Sequence, residues 1–373
     1  MDIYDQIRED TLYIMLYTIV TVMTAMACIY LLFRQGNAFA RDITPPTRLR
    51  RWAAAFFGAF TLNHVWYMPV AFLSSSEDIR LLDLIGGLID CMTFAPLAIV
   101  VMFTMLQDRR RPLWPIAVMM APLVVGKALG VATLSDDFLP ALYVYFVLMC
   151  IGLIIYMVRA LRQYGRWLRD NYADLEHKEV RQSFVVFAIV LLVFVFYAFT
   201  NEGTFFAYVM EAVSAVLICY LLWRVETLSD LKSPISSGND IPDSDAEDEK
   251  PNTLSDANIE RIGAMLKQHC EEQRLYLEND ISLSRLAKTV GTNHTYLTQY
   301  FATQGTNYNA YINDLRIRHF VRLYRETVAA NRPFTAQQLA QESGYSSYNT
   351  FSDAVKRKTG KTVKVWMKGL GES

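Results

Sequence analysis

Paired cysteines and recognisable catalytic motifs are both missing from this chain. Its five cysteines (Cys28, Cys91, Cys150, Cys219 and Cys270) form no Cys-x-x-Cys pair and stand at no metal-ligand spacing from a histidine. Four lie inside apolar runs, where Cys behaves as a small hydrophobe, so neither a disulfide framework nor a metal site is expected. There is no H-E-x-x-H, G-x-S-x-G, P-loop or G-x-G-x-x-G stretch, which removes the usual signatures of metalloproteases, serine hydrolases and nucleotide binders. No cofactor is expected, and the chain does not read as an enzyme. The first apolar run is not expected to be a cleavable leader. The residues before the first apolar run are acidic (Asp2, Asp5, Glu9, Asp10), and that run is too long for a signal-peptide core.

What the chain has is apolar length, unevenly distributed. Of 373 residues 53% are hydrophobic and the mean hydropathy is positive, and the excess lies before residue 228. Seven apolar runs approach the roughly 20 residues that a membrane-spanning helix needs: Thr11–Phe33, Trp52–Leu73, Leu81–Leu106, Pro112–Leu134, Phe138–Val158, Ser183–Phe199 and Thr204–Val225. The sixth and seventh are separated only by Thr200–Gly203 and read as a tight helical hairpin. Lys and Arg in the connections alternate. Fourteen fall after the first, third and fifth runs: Arg34, Arg41, Arg48, Arg50, Arg51, Arg109, Arg110, Arg111, Arg159, Arg162, Arg166, Arg169, Lys178 and Arg181. The opposite side holds only Arg8 and Arg80, with Glu77, Asp78, Asp136, Asp137 and Glu202. By the positive-inside rule this sets the N-terminus outside and the C-terminus in the cytoplasm of a cell (inner) membrane protein.

Ionisable residues within spans are costly and mark function by default. His64, Asp90, Lys127 and Glu211 each lie seven to nine residues from the outer edge of their run. At helical rise that is a common depth of roughly 10–14 Å. One reading is a polar pocket open to the outside for an unknown signal ligand, with Asn63, Trp66 and Tyr67 lining it. The other is an Asp90–Lys127 or Lys127–Glu211 ion pair that holds helices together.

Residues 229–253 are rich in Ser, Pro, Asp and Glu and cannot bury enough surface to order themselves. They read as an acidic flexible linker of about 25 residues, with a coil reach of roughly 25–30 Å. Asp230–Pro251 holds 7 acids against 2 lysines, a net of −5, whereas Ile281–Ser373 holds 13 Lys+Arg against 5 acids, a net of +8. Asp243–Glu249 reads as solvated spacer; occupation of a basic face is the sharper alternative. A basic module thus follows an acidic tether.

That module contains two helix–turn–helix patterns, Ser282–Phe301 and Phe334–Val355. Each has a Leu-Ala pair on a first helix (Leu286-Ala287, Leu339-Ala340), then Gly at the turn (Gly291, Gly344), then an apolar residue where a second helix packs back (Leu297, Phe351). Glycine suits a turn that needs positive φ. An amphipathic helix is expected over Ser255–Glu278, and a longer one over Tyr308–Ala329. Asp280 or Ser282, and Thr292 or Asn293, are the expected caps of the first pair. Gly360 ends the second helix of the second pattern, and Val365-Trp366-Met367 marks a short final one.

The layout resembles the AraC/XylS family of transcription regulators. The residues that carry the resemblance are the Leu-x-x-Leu-Ala unit, Tyr296-Leu297, Phe301, Gly305, Tyr311-Ile312, Leu315-Arg316-Ile317, Gly344-Tyr345, Phe351 and Gly360, over about 115 residues. The resemblance implies two three-helix subdomains joined by a rigid helix. The 22 residues of Tyr308–Ala329 would span about 33 Å, close to the roughly 34 Å between successive major grooves on one DNA face. It also implies that Thr295, Thr298 and Gln299, then Tyr348, Asn349 and Thr350, face DNA bases. Gln299 and Asn349 have the amide geometry for adenine. Arg316, Arg318, Arg322, Lys356, Arg357, Lys358 and Lys361 are expected at phosphates or in solvent. Asp353 and Val355 depart from the family pattern, and Asp353 in a groove would repel phosphates.

The expectation is an all-α chain in three parts. Residues 1–228 form a seven-span sensor or anchor, 229–253 the linker, and 254–373 an AraC-type DNA-binding domain. Its partners would be double-stranded DNA, the lipid bilayer and, by family resemblance, RNA polymerase, with the chain acting as a homodimeric activator. Two other readings stay open: spans that only anchor or transport beside a domain that mediates protein contacts, and an intramembrane enzyme using His64 and Asp90.

Overall fold

The computed structural model describes residues 10–34, 37–40, 43–73, 75–135, 137–200, 204–231 and 256–371. The expectations for residues 1–9, Arg41, Asp136, Glu202 and the linker from residue 232 onward lie outside the described residues. Those described are helical, with one isolated β-bridge between Tyr172 and Ser282. They form two compact bodies. The described residues of 1–162 and 180–232 make the first, and those of 163–179 and 233–373 the second.

In the first body the helices are α1 (Thr11–Phe33), α2 (Thr47–Tyr67), α3 (Ser76–Met92), α4 (Phe94–Met105), α5 (Trp114–Thr133), α6 (Leu139–Asn171), α7 (Arg181–Thr200) and α8 (Thr204–Thr227). The last turns of α6 belong to the second body. Five segments are long and apolar enough to cross a membrane: Thr11–Phe33, Glu77–Met105, Trp114–Thr133, Leu139–Asn171 and Ala207–Thr227. That is two fewer than the seven expected. α2 opens on Arg48, Arg50 and Arg51, which dilute its hydropathy, and Arg181–Val193 of α7 is a shorter apolar helix.

The span over residues 77–105 is broken at Thr93 (φ −121°, ψ −66°). Pro96 explains the break. It has no N–H to offer the Met92 carbonyl, and its ring crowds that carbonyl. α2 is the central element, packing on α1, α4 and α8, while α3 packs on α5. Its inward face carries Leu49, Ala53, Phe56, Phe57 and Phe60. The carboxylate of Glu226, fully buried, lies 2.9 Å from Arg50 Nε and accepts from the Tyr30 hydroxyl at 3.2 Å.

The second body is built on α9 (Asp256–Leu266), α10 (Leu283–Val290), α11 (His294–Thr303), α12 (Tyr308–Ala329), α13 (Ala336–Glu342), α14 (Tyr348–Thr359) and α15 (Val363–Gly371). The helix expected over 255–278 ends sooner. α9 passes into a π-helical turn, Lys267–Glu272, and Arg274 then takes a left-handed conformation before the 3₁₀ turn Leu275–Leu277.

Two apolar cores form. One gathers Ile262, Leu266, Cys270, Leu286, Ala287, Val290, Leu297 and Phe301, and the other Leu339, Ala340, Tyr345, Phe351, Ala354 and Val355. α12 serves both. Tyr308, Ile312 and Leu315 enter the first core, and Ile317 and Phe320 the second. Phe320 stacks on Phe351 at 4.4 Å between centroids.

Gly344, in the turn between α13 and α14, has φ +88°. A Cβ there would stand 2.7 Å from Leu277 Cα, so the two backbones meet where only glycine fits. Gly305 and Gly360 also have positive φ but face open space. Alanine at either should cost only the left-handed penalty of about 1–2 kcal/mol. Gly344→Ala adds a backbone clash and should cost clearly more, read as loss of hydrogen-exchange protection over α13 and α14 in the intact protein.

Candidate nucleic-acid interface

Short polar residues start the helices of the second body, each by accepting from a first-turn amide. Ser282 caps α10 through Arg285 N, Asn293 caps α11 through Tyr296 N, and Asn307 caps α12 through Ala310 N. Thr335 caps α13 and Ser347 caps α14. Gly291 and Gly360, both left-handed, close α10 and α14. The result is two helix pairs, α10–α11 and α13–α14, each turning at a positive-φ glycine.

On α11, Thr295 is exposed and Thr298 is half-buried, its hydroxyl donating back to the His294 carbonyl at 2.9 Å. Gln299 is half-buried, and its Oε1 is buried with no hydrogen-bond partner among the described residues. On α14, Tyr348 and Asn349 are exposed. Thr350 differs from expectation. It is buried, and its hydroxyl donates to Glu176 Oε2 at 2.7 Å. The covering residue comes from the connection between α6 and α7, which no local pattern ties to α14.

The cations also divide. Lys356, Arg357 and Lys361 are exposed, while Arg318 and Lys358 both pair with Asp314. Arg322 lies along α12 toward Glu326 and donates to His319 Nδ1. Arg316 corrects the sequence reading, because it is fully buried and meets no solvent. Its Nε donates to the Tyr276 carbonyl at 2.8 Å and one terminal nitrogen to the Glu278 carbonyl at 2.6 Å, while the guanidinium lies 5.5 Å from the Tyr345 ring centre. Desolvation pulls its pKa below the ordinary arginine value, with Tyr345 and Tyr308 opposing. Among the family departures, Val355 is a core residue and Asp353 is exposed.

Of the four polar residues singled out in the apolar half, His64, Asp90 and Glu211 have close polar neighbours in the first body. His64 Nε2 lies 3.6 Å from a Glu211 carboxylate oxygen, and its ring stacks on Tyr17 at 4.7 Å. The Tyr17 hydroxyl donates to the His64 carbonyl at 2.6 Å. Asp90 accepts from Asn63 Nδ2 at 2.6 Å and from the Tyr67 hydroxyl at 3.0 Å. His64 therefore takes the place beside Glu211 that the ion-pair reading gave to Lys127. Asn63 and Tyr67 are the hydrogen-bond partners of Asp90, and Lys127 lies close enough to act on its charge. The Lys127 ammonium lies near Gly87, 3.2 Å from where a Cβ would be. Trp66 donates to the Leu82 carbonyl at 3.2 Å.

Residues 286–369 match the family described as a helix-turn-helix domain, of the AraC type. The match suggests DNA-binding transcription regulation for this part and supports an AraC-type helix-turn-helix domain. The five apolar helices that precede it are compatible with a membrane protein. No curated protein and no solved structure matches the chain.

His319 offers a pH test of this body. Its Nδ1 faces the Tyr276 hydroxyl at 2.9 Å and an Arg322 nitrogen at 3.1 Å. Arginine can only donate, so Nδ1 is an unprotonated acceptor. Burial holds the imidazole below its ordinary value, and Arg322 and Arg274 act the same way. The unfolded chain therefore takes up this proton first. Stability is complete above the ordinary histidine value of about 6.5 and falls as pH drops below it toward the folded value. Thermal unfolding of the whole protein should show that loss, and His319→Gln should flatten it.

Proposed function

We propose that the chain is a membrane-embedded, one-component transcription regulator. The observation that carries this reading is an AraC-type helix-turn-helix domain on the same chain as five helices apolar enough to cross a membrane. In this reading α2 and α7 also span, making seven. The alternating Lys and Arg of the connections then place the N-terminus outside and the C-terminal domain in the cytoplasm, where DNA is. The count and the location support each other, because loop charge and DNA-binding motif are independent features of the sequence.

The helix pairs α10–α11 and α13–α14 are both DNA readers in this proposal. Thr295 and Gln299 of α11, with Tyr348 and Asn349 of α14, meet base edges. Lys356, Arg357 and Lys361 meet phosphates. Gln299 is half-buried, and its side chain must turn outward for the amide to pair with a base. A dimer on adjacent sites supplies the specificity that one reader lacks, and RNA polymerase is the partner of an activator. The signal enters through the polar groups around His64, Asp90 and Glu211, which join α1, α2, α3 and α8 and so register small helix shifts.

Genome-wide occupancy of the intact protein tests the first part. Binding should be sequence-selective and should weaken steeply with salt. Gln299→Ala should lose about 1–3 kcal/mol of discrimination at one base position. Absence of any enriched site would defeat the proposal. For the second part, Asp90→Asn or Glu211→Gln should leave protein level unchanged and uncouple target transcription from growth condition. Wild-type responses in both would reduce the cluster to helix packing.

A further inference from the structure

The connection between α6 and α7 is built into the second body. The last residue of α6 touches the start of α11, and the connection itself touches the start of α14. Asn171 Oδ1 lies 2.7 Å from Nε2 of His294, the first residue of α11. Asp174 accepts from the Ser346 hydroxyl, just before α14. Glu176 accepts from the hydroxyls of Ser347, the N-cap of α14, and of Thr350 in its first turn. Asp174 Oδ1 also lies 3.4 Å from the Thr350 hydroxyl. Both carboxylates thus sit on hydroxyl donors at a helix N-terminus.

That is the environment which the start of a reading helix offers to a DNA phosphate: aligned amides, side-chain hydroxyls and the positive end of the helix dipole. In helix–turn–helix units the N-terminal residues of the second helix are those that meet DNA. We propose that Asn171–Glu176 is an intramolecular competitor of DNA, with Asp174 and Glu176 standing where phosphate oxygens would bind. The proposal rests on the DNA-binding reading given above.

The segment has a separate anchor. Ala173 is packed in the first core, and its carbonyl accepts from Asn309 and Asn313 of α12 at 2.6 and 3.1 Å. Lys178 pairs with Asp280 at 3.1 Å. These contacts hold the connection to α12 and to the approach to α10, away from α14. DNA then needs to displace only the acidic part. Because the connection is the covalent link between α6 and α7, a rearrangement of those two helices acts directly on the competitor.

The test uses the full chain in lipid nanodiscs and fragmented double-stranded DNA of mixed sequence, with affinity read by fluorescence anisotropy. The competition predicts that Asp174→Asn/Glu176→Gln binds about tenfold more tightly than wild type, equivalent to about 1.4 kcal/mol. Glu176→Gln alone, at a half-buried position, should give part of that gain and decides the matter if the double variant loses its melting transition. The charge-matched Glu260→Gln/Glu272→Gln, at exposed positions, should change affinity little. DNA added to wild type should speed amide exchange over Asp174–Glu176. Equal or weaker binding by the acid variants, or an equal gain in the charge control, overturns the competition and leaves the DNA-binding reading standing. No binding by any of the chains defeats both.

Discussion

One buried guanidinium holds the C-terminal body together. Arg316 sits on α12 between Leu315, which enters the first core, and Ile317, which enters the second. Its Nε and one terminal nitrogen donate to the carbonyls of Tyr276 and Glu278, and its face lies against Tyr345 of the other core. A buried charge is tolerated only with such partners, and removal would leave both cation site and carbonyls unsatisfied. The planar fork matters here, since a lysine has one nitrogen to share among the same acceptors. Gly344 works at the same joint, letting the α13–α14 turn approach Leu277 closely. The two helix pairs are therefore locked onto one rod of 22 residues, and the spacing of α11 and α14 follows from it.

A comparable economy governs the apolar half. Within five residues of α2, Asn63 and Tyr67 donate to Asp90, and His64 lies 3.6 Å from Glu211. Helical periodicity puts residues four apart on one face and a neighbouring residue on another. One stretch of α2 thereby serves α3 on one side and α8 on the other, with Tyr17 of α1 closing over the histidine. Polar groups in apolar surroundings are held by partners or by function. Here the partners are specific enough that helix position and hydrogen bonding are linked.

Much of this was legible in the chain. Ser282 and Asn293 were foreseeable caps because capping is decided within three residues. Leu286-Ala287 and Leu339-Ala340 were foreseeable core because their spacing follows the helix. The turn glycines were foreseeable for their positive φ. Arg316 was not, since an arginine on a long amphipathic helix reads as surface until Tyr276–Glu278 is folded against it. Val355, a departure from the family pattern, proves to be packing in the second core. Thr350 read as an open contact residue, and the acids that cover it lie more than 170 positions away. In the apolar half, the arginines at the start of α2 blur a boundary that run length alone made look clear.

The division between the two kinds of information has a physical cause. Helix starts, helix stops and apolar faces depend on residues a few positions apart, so the sequence by itself determined an all-helical chain with an apolar front and a basic helix-turn-helix back. The destination of each buried polar group depends on which distant backbone arrives beside it. Asn313 finds the Ala173 carbonyl across 140 residues, and Asp90 takes its hydrogen bonds from Asn63 and Tyr67. Only the tertiary structure decided those pairings, because hydrogen bonds select geometry, and geometry between remote segments exists only once the cores have packed.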